Sequence, residues 1–196
     1  MTNFIQHTSG VLSQEECDAV IDFFESNEQD HGVGTVGNNE ELDPTILSDT
    51  EMVVDVKQLV TESRLNPVAK ALQTACDEYI KNYPFLGKIR RWHVDGDFKF
   101  QRYNPPNEAY FEEHCENGGG VNGSCDRRLI ALMVYLNTVT DGGETCFPTQ
   151  NISFSPKVGD VLMWPAYWTH PHYGKPSPSQ VKYIITGWYI FDDKQT

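Results

Sequence analysis

From Arg91 onward the chain is written as short extended stretches separated by turn signals, with no helical pattern between them. The strand candidates are Phe98–Tyr103, Tyr110–Glu113, Leu129–Leu136, Glu144–Phe147, Ile152–Phe154, Asp160–Trp164 and Lys182–Phe191. Between them lie Asn104-Pro105-Pro106-Asn107, Gly118-Gly119-Gly120, Asp141-Gly142-Gly143 and Val158-Gly159-Asp160, residues that set turns rather than ladders. Parallel strands need long crossovers, usually helical, and none is available here. The pattern therefore predicts antiparallel sheets closed on each other as a sandwich or jelly roll.

Two helices precede this region. Ser13 followed by Glu16 is a capping-box signature, and Val11, Cys17, Val20, Ile21 and Phe24 recur at helical spacing. Asn66-Pro67 reads as an N-cap followed by proline at the first helical position, with a stripe of Val68, Leu72, Ala75, Cys76, Tyr79 and Ile80. Between the helices, Gln29 to Leu47 is rich in Gly, Asn and acidic residues and reads as a long loop, a candidate lid. Residues 1–196 are expected to form one domain: a helical portion and lid loop over 1–90, packed on one face of a β core over 91–196.

Charge and composition narrow the function classes. With 15 Lys+Arg against 28 Asp+Glu the formal charge is −13, and no basic stripe is present to grip a phosphate backbone, so nucleic acid is not the expected partner. The longest unbroken apolar run, Leu129 to Leu136, is too short for a membrane span, and the N-terminus lacks the basic start and apolar stretch of a signal peptide. Five cysteines, an odd count without a CxxC pair, suit a reducing cytoplasm.

The chemistry-bearing pattern is His114-Cys115-Glu116. On a strand, residues i and i+2 share a face, so one imidazole and one carboxylate are presented together, with Cys115 turned away. A second imidazole from a distant strand would complete a 2-His-1-carboxylate triad, which leaves open positions on Fe(II). His172 is the candidate, although His170 lies two residues before it and His93-Val94-Asp95 is a rival H-x-D pair upstream.

From about Phe98 to Trp188 the chain resembles the 2-oxoglutarate- and Fe(II)-dependent dioxygenases, in their prolyl 4-hydroxylase-like branch. The resemblance rests on four elements in the family's order. Arg102-Tyr103 leads to His114-x-Glu116. Arg127-Arg128 opens a strand ending Tyr135-Leu136-Asn137, followed by Gly142-Gly143-Glu144-Thr145-x-Phe147. His172-x-Gly174-x-Pro176 follows, and Lys182 lies ten residues beyond His172. This order selects His114/Glu116 over the His93 pair, and His172 over His170, which is left to orient a ligand or a water.

The resemblance implies a mainly β double-stranded β-helix (jelly roll) with the N-terminal helices on one face. It implies Fe(II), 2-oxoglutarate and O₂ as cofactor and cosubstrates, ascorbate as an accessory reductant, and succinate and CO₂ as coproducts of a carbon hydroxylation. Peptidyl proline leads as substrate, ahead of other peptide residues or a free amino acid. His114, Glu116 and His172 would ligate the metal. Lys182 would neutralise the distal carboxylate of 2-oxoglutarate, with a hydroxyl from Tyr135 or, less well placed, Thr186; Arg102 is the alternative cation. Trp164, Trp168 and Trp188 read as sandwich core rather than as a substrate cage. The family's usual carboxylate is Asp, so Glu116 leaves open a non-catalytic metal- or peptide-binding jelly roll that has lost turnover. A cupin-like metalloenzyme using no oxoacid is a third reading, disfavoured by Lys182.

Overall fold

The structure, a computed structural model, describes residues 2–36, 42–117 and 125–192. The Gly118-Gly119-Gly120 turn and part of the Gln29–Leu47 loop lie outside the described residues. In chain order the strands are β1 (Gln6–Thr8), β2 (Leu47–Ser48), β3 (Thr50–Asp55), β4 (Trp92–Val94), β5 (Asp97–Tyr103), β6 (Ala109–Tyr110), β7 (Arg128–Tyr135), β8 (Thr145–Phe147), β9 (Ile152–Phe154), β10 (Val161–Pro165), β11 (Tyr173–Gly174) and β12 (Lys182–Phe191). Three helices, α1 (Gln14–Glu25), α2 (Val56–Thr61) and α3 (Asn66–Asn82), fall in the first half.

The large sheet runs β1-β10-β7-β12-β5-β3, with β4 also pairing with β12. A smaller sheet, β11-β8-β9, and the pair β2-β6 complete the jelly roll, and the pairings are antiparallel. Along β7 the side chains divide by parity. Ile130, Leu132 and Val134 join Phe98, Phe100 and the helices in one core, while Ala131, Met133 and Tyr135 join Phe147, Trp164 and Trp188 in another. The large sheet is thus covered on both faces, which is why β7 and β12 read as nearly continuous apolar runs.

Helix α1 begins at Ser13 with both hydrogen bonds of the capping box, and buries Cys17, Val20, Phe23 and Phe24. Helix α3 starts one residue earlier than its sequence implied: Leu65 is the N-cap and Asn66 is inside the helix, its side-chain amide donating instead to the Val60 carbonyl. Strand β3 lies within a region with no sequence expectation of a strand. Its alternation is confined to Met52 and Val54, too short to stand out until β5 supplies the partner. The expected Tyr110–Glu113 strand shrinks to Ala109–Tyr110, which pairs with Leu47–Ser48 at the end of the expected loop.

The turn before β10 is closed against the start of α1. Gly159 has φ +77°, its carbonyl accepts from the backbone N–H groups of Val11 and Leu12, and a Cβ there would collide with the Leu12 carbonyl oxygen. Gly159→Ala should therefore cost about 2 kcal/mol or more through left-handed strain and displaced backbone. Urea denaturation would register it as a lower midpoint with an unchanged slope.

Candidate active site

The inner face of the large sheet opens into a cavity of about 550 Å³. Alternation decides what enters it: Lys99, Gln101 and Tyr103 from β5, and Lys182, Ile184, Thr186 and Trp188 from β12. A register irregularity between Tyr189 and Ile190 breaks the parity at the start of β7, and Arg128 also lines the cavity.

His114 and His172 meet through a backbone bridge. His114 N–H donates to the His172 carbonyl at 2.9 Å and His172 N–H returns the bond at 2.8 Å. Their ring centroids lie 4.4 Å apart. Glu116 Oε1 reaches both, 3.2 Å from His172 Nε2 and 3.8 Å from His114 Nε2. Ligand atoms of these three residues lie within 4.8 Å of one another.

Each imidazole has its other nitrogen occupied. Nδ1 of His114 donates to the Glu112 carbonyl at 3.0 Å and Nδ1 of His172 to the His170 carbonyl at 3.1 Å. Carbonyls only accept, so Nδ1 carries a proton in each ring and Nε2 faces Glu116 Oε1. An Nε2 so directed offers its lone pair to a metal once any proton on it is lost. On the far side, Glu116 Oε2 accepts from the Trp188 indole N–H at 2.8 Å, with Arg128 Nη1 3.5 Å away and stacked on the Trp188 ring. Two imidazoles and one carboxylate with one oxygen held back fit a first-row divalent ion, Fe(II) among them.

Burial pushes the His114 imidazole down to about 4, with His172 adding to the effect. Glu116 is held well below the ordinary carboxylate range by His172, His114 and Arg128, which outweigh its desolvation. Lys182 is 4% exposed and burial brings it down to about 8. Its ammonium donates to the Gly143 carbonyl at 3.2 Å and sits 4.8 Å from the Tyr103 ring centre. Among the described residues no carboxylate lies within ion-pair distance of it. A buried ammonium so placed is a receptor for an anion.

The structure thus brings His114, Glu116, His172, Lys182 and Thr186 to one cavity. It does not bring Tyr135, which is fully buried and donates its hydroxyl to Thr145 Oγ1 at 2.7 Å. Tyr103 stands directly opposite Lys182 in the β12–β5 register and lines the cavity. Arg102, of opposite parity, points out of the cavity and pairs with Glu25 at 2.8 Å. Cys115 does line the cavity: His114 is an isolated bridge, so the chain beyond it does not alternate as a strand would. Trp164 is core, Trp168 is 79% exposed, and Trp188 is part of the site. The His170 ring turns away to the Asn3 carbonyl, leaving only its backbone oxygen to orient His172. His93 pairs with Asp192 on the exterior.

Residues 98–190 match the family model of the 2OG-Fe(II) oxygenase superfamily. The chain is 29% identical over 167 residues to "Putative prolyl 4-hydroxylase" of Acanthamoeba polyphaga mimivirus, covering 78% of this chain and 65% of that one. It therefore spans just under two thirds of that relative's length. In fold it is similar to the viral collagen prolyl hydroxylase of Paramecium bursaria Chlorella virus-1, solved with 2OG (TM-score 0.69, 22% identity, 96% of this chain and 97% of that one). It is also similar to a prolyl hydroxylase from Trichoplax adhaerens, solved with a hypoxia inducible factor peptide fragment (TM-score 0.72, 19% identity, 97% and 84%). Among the described residues no helix is long and apolar enough to cross a membrane.

The folded His114 accepts a proton only near pH 4, whereas the unfolded imidazole takes one at about 6.5, so the unfolded chain binds more protons between these values. Metal-free protein should lose stability as pH falls through this window, by up to about 1.4 kcal/mol per pH unit for this one proton. Chemical denaturation at several pH values should show a shallower slope for His114→Gln.

Proposed function

We propose that the protein is a 2-oxoglutarate- and Fe(II)-dependent dioxygenase that hydroxylates a carbon of its substrate, with peptidyl proline as the leading substrate. The observation that carries this reading is the sharing of one cavity by the His114–Glu116–His172 cluster and a buried ammonium with no carboxylate in ion-pair reach among the described residues. His114, Glu116 and His172 would hold the metal through two Nε2 lone pairs and Oε1. With Fe(II), 2-oxoglutarate and O₂ bound, the site supplies the oxidising chemistry for C–H hydroxylation.

The chain's own residues supply placement. Trp188 keeps Oε2 of Glu116 turned away, so a single oxygen faces the two imidazoles. Lys182 neutralises the remote carboxylate of 2-oxoglutarate, with Tyr103 in the hydrogen-bonding role for which Tyr135 and Thr186 are the sequence candidates. Tyr110, stacked on His114 at 3.7 Å between ring centres, and Trp188 give the cavity flat apolar walls suited to a pyrrolidine ring. The peptide in the Trichoplax complex supports a peptide substrate. Residues 1–196 act as one domain in this reading. Five cysteines, an odd count without a CxxC pair, suit a reducing cytoplasm, and ascorbate belongs in the assay as reductant.

Lys182→Ala should weaken 2-oxoglutarate binding by about 2–5 kcal/mol while sparing metal binding, because it removes the partner of a desolvated carboxylate. Wild-type affinity should also fall above about pH 8, where the ammonium loses its proton and its charge. Titration calorimetry on Mn(II)-loaded protein measures both.

Glu116 favours one alternative, a jelly roll that binds metal without turnover. Succinate formation from Fe(II), 2-oxoglutarate and proline-containing peptides separates the two. Activity in wild type, retained in part by Glu116→Asp and lost in Glu116→Ala, is the expected outcome. A silent wild type beside an active Glu116→Asp would identify a retired enzyme.

A further inference from the structure

Behind the carboxylate end of the cavity lies the buried amide of Gln101, with every polar atom engaged. Its Nε2 donates one hydrogen to Asp49 Oδ2 at 2.6 Å and the other to the Tyr103 hydroxyl oxygen at 3.0 Å. Its Oε1 accepts from Thr186 Oγ1 at 3.0 Å. An amide can turn over, exchanging nitrogen for oxygen, and geometry alone does not choose between the two arrangements. Asp49 does choose. An ionised carboxylate only accepts, so it admits the nitrogen and repels the oxygen.

Asp49 is built for this task. It is buried, and its other oxygen accepts from Gly34 N–H at 3.0 Å, where a Cβ on residue 34 would strike that same oxygen. The charged groups facing Asp49, which lies between β2 and β3, are Glu51 on β3 and Lys99 on β5, which pair with each other at 3.0 Å; Tyr103 faces it from β5 as well. Burial raises the Asp49 carboxyl to about 6, so it is still an anion at neutral pH.

The direction of each bond then follows. Tyr103 oxygen accepts from Gln101, so its own hydrogen is free to be given elsewhere, and the Lys182 ammonium lies 4.8 Å from the centre of the same ring. Thr186 commits its single hydrogen to Gln101 and can offer only lone pairs to the cavity. We propose that Asp49, acting through Gln101, is a positioning residue that sets the hydrogen-bond polarity of the anion pocket: Tyr103 donates to the bound carboxylate and Thr186 does not. Were Asp49 neutral, Gln101 could turn over, accept from both Asp49 and Tyr103, and donate to Thr186, withdrawing the Tyr103 hydrogen from the ligand. This inference rests on the reading of the cavity as a 2-oxoglutarate site.

The test is a double-mutant cycle on Mn(II)-loaded protein, reading the Kd of 2-oxoglutarate by calorimetry in wild type, Asp49→Asn, Tyr103→Phe and the double variant. Asp49→Asn and Tyr103→Phe should each weaken binding by about tenfold, the scale of one hydrogen bond to a charged group. The double variant should bind no more weakly than Tyr103→Phe alone. Equal losses from Asp49→Asn in both backgrounds would overturn the proposal, since Asp49 would then act through the fold and not through the Tyr103 hydroxyl. Should Asp49→Asn fail to fold, the pH profile decides. Between about pH 7 and pH 5 the wild type should lose affinity relative to Tyr103→Phe as Asp49 gains its proton, whereas parallel profiles would overturn the proposal. Groups titrating in both proteins cancel in that ratio. Wild type that binds Mn(II) but not 2-oxoglutarate would overturn the functional reading together with this one; binding with additive losses overturns this one alone.

Discussion

The structure depends on a central antiparallel strand that is buried on both faces. Strand β12 is paired with β7 on one side and with β5 and β4 on the other, so its ladder cannot slip without exposing one full set of side chains. Its odd-numbered Ile185 packs toward the helical layer. Its even-numbered Lys182, Ile184, Thr186 and Trp188 face the cavity in a row. One strand with one register therefore sets the spacing between the buried cation and the indole that pins Glu116.

Electrostatics follows from that placement. Glu116 and Lys182 are charges of opposite sign lining one cavity, each taken out of water and each handled differently. Glu116 is surrounded by imidazoles, Arg128 and an indole N–H, so its charged form is favoured despite burial. Burial makes Lys182 hold its proton less tightly, and a carbonyl and an aromatic face are its contacts. The first arrangement awaits a cation and the second an anion. Under the proposed function, the metal and the dicarboxylate cosubstrate would meet these two needs together.

Glu116 differs by one methylene from the aspartate that the resemblance leads one to expect. The structure accommodates the longer arm by giving Oε2 its own donor in Trp188, with Arg128 stacked behind the indole.

By itself the sequence determined the strand series from β5 onward, the capped helix α1 and an all-β core, because each rests on local periodicity. The choice of His114, Glu116, His172 and Lys182 came from the order of motifs in the resemblance, and the structure places all four around one cavity. What only the tertiary structure decided were matters of parity and partner. Tyr135 and Tyr103 both sit on inward-facing strand positions near Lys182, but the β12–β5 register sets Tyr103 opposite it, while Tyr135 is sealed beneath Thr145. Trp188 looks like any core tryptophan until its neighbour across the cavity is known. Asp49 and Gln101 carry no sequence signal, since their meaning lies in which hydrogen goes to which oxygen, and that depends on atoms 52 positions apart in the chain meeting in a place without water.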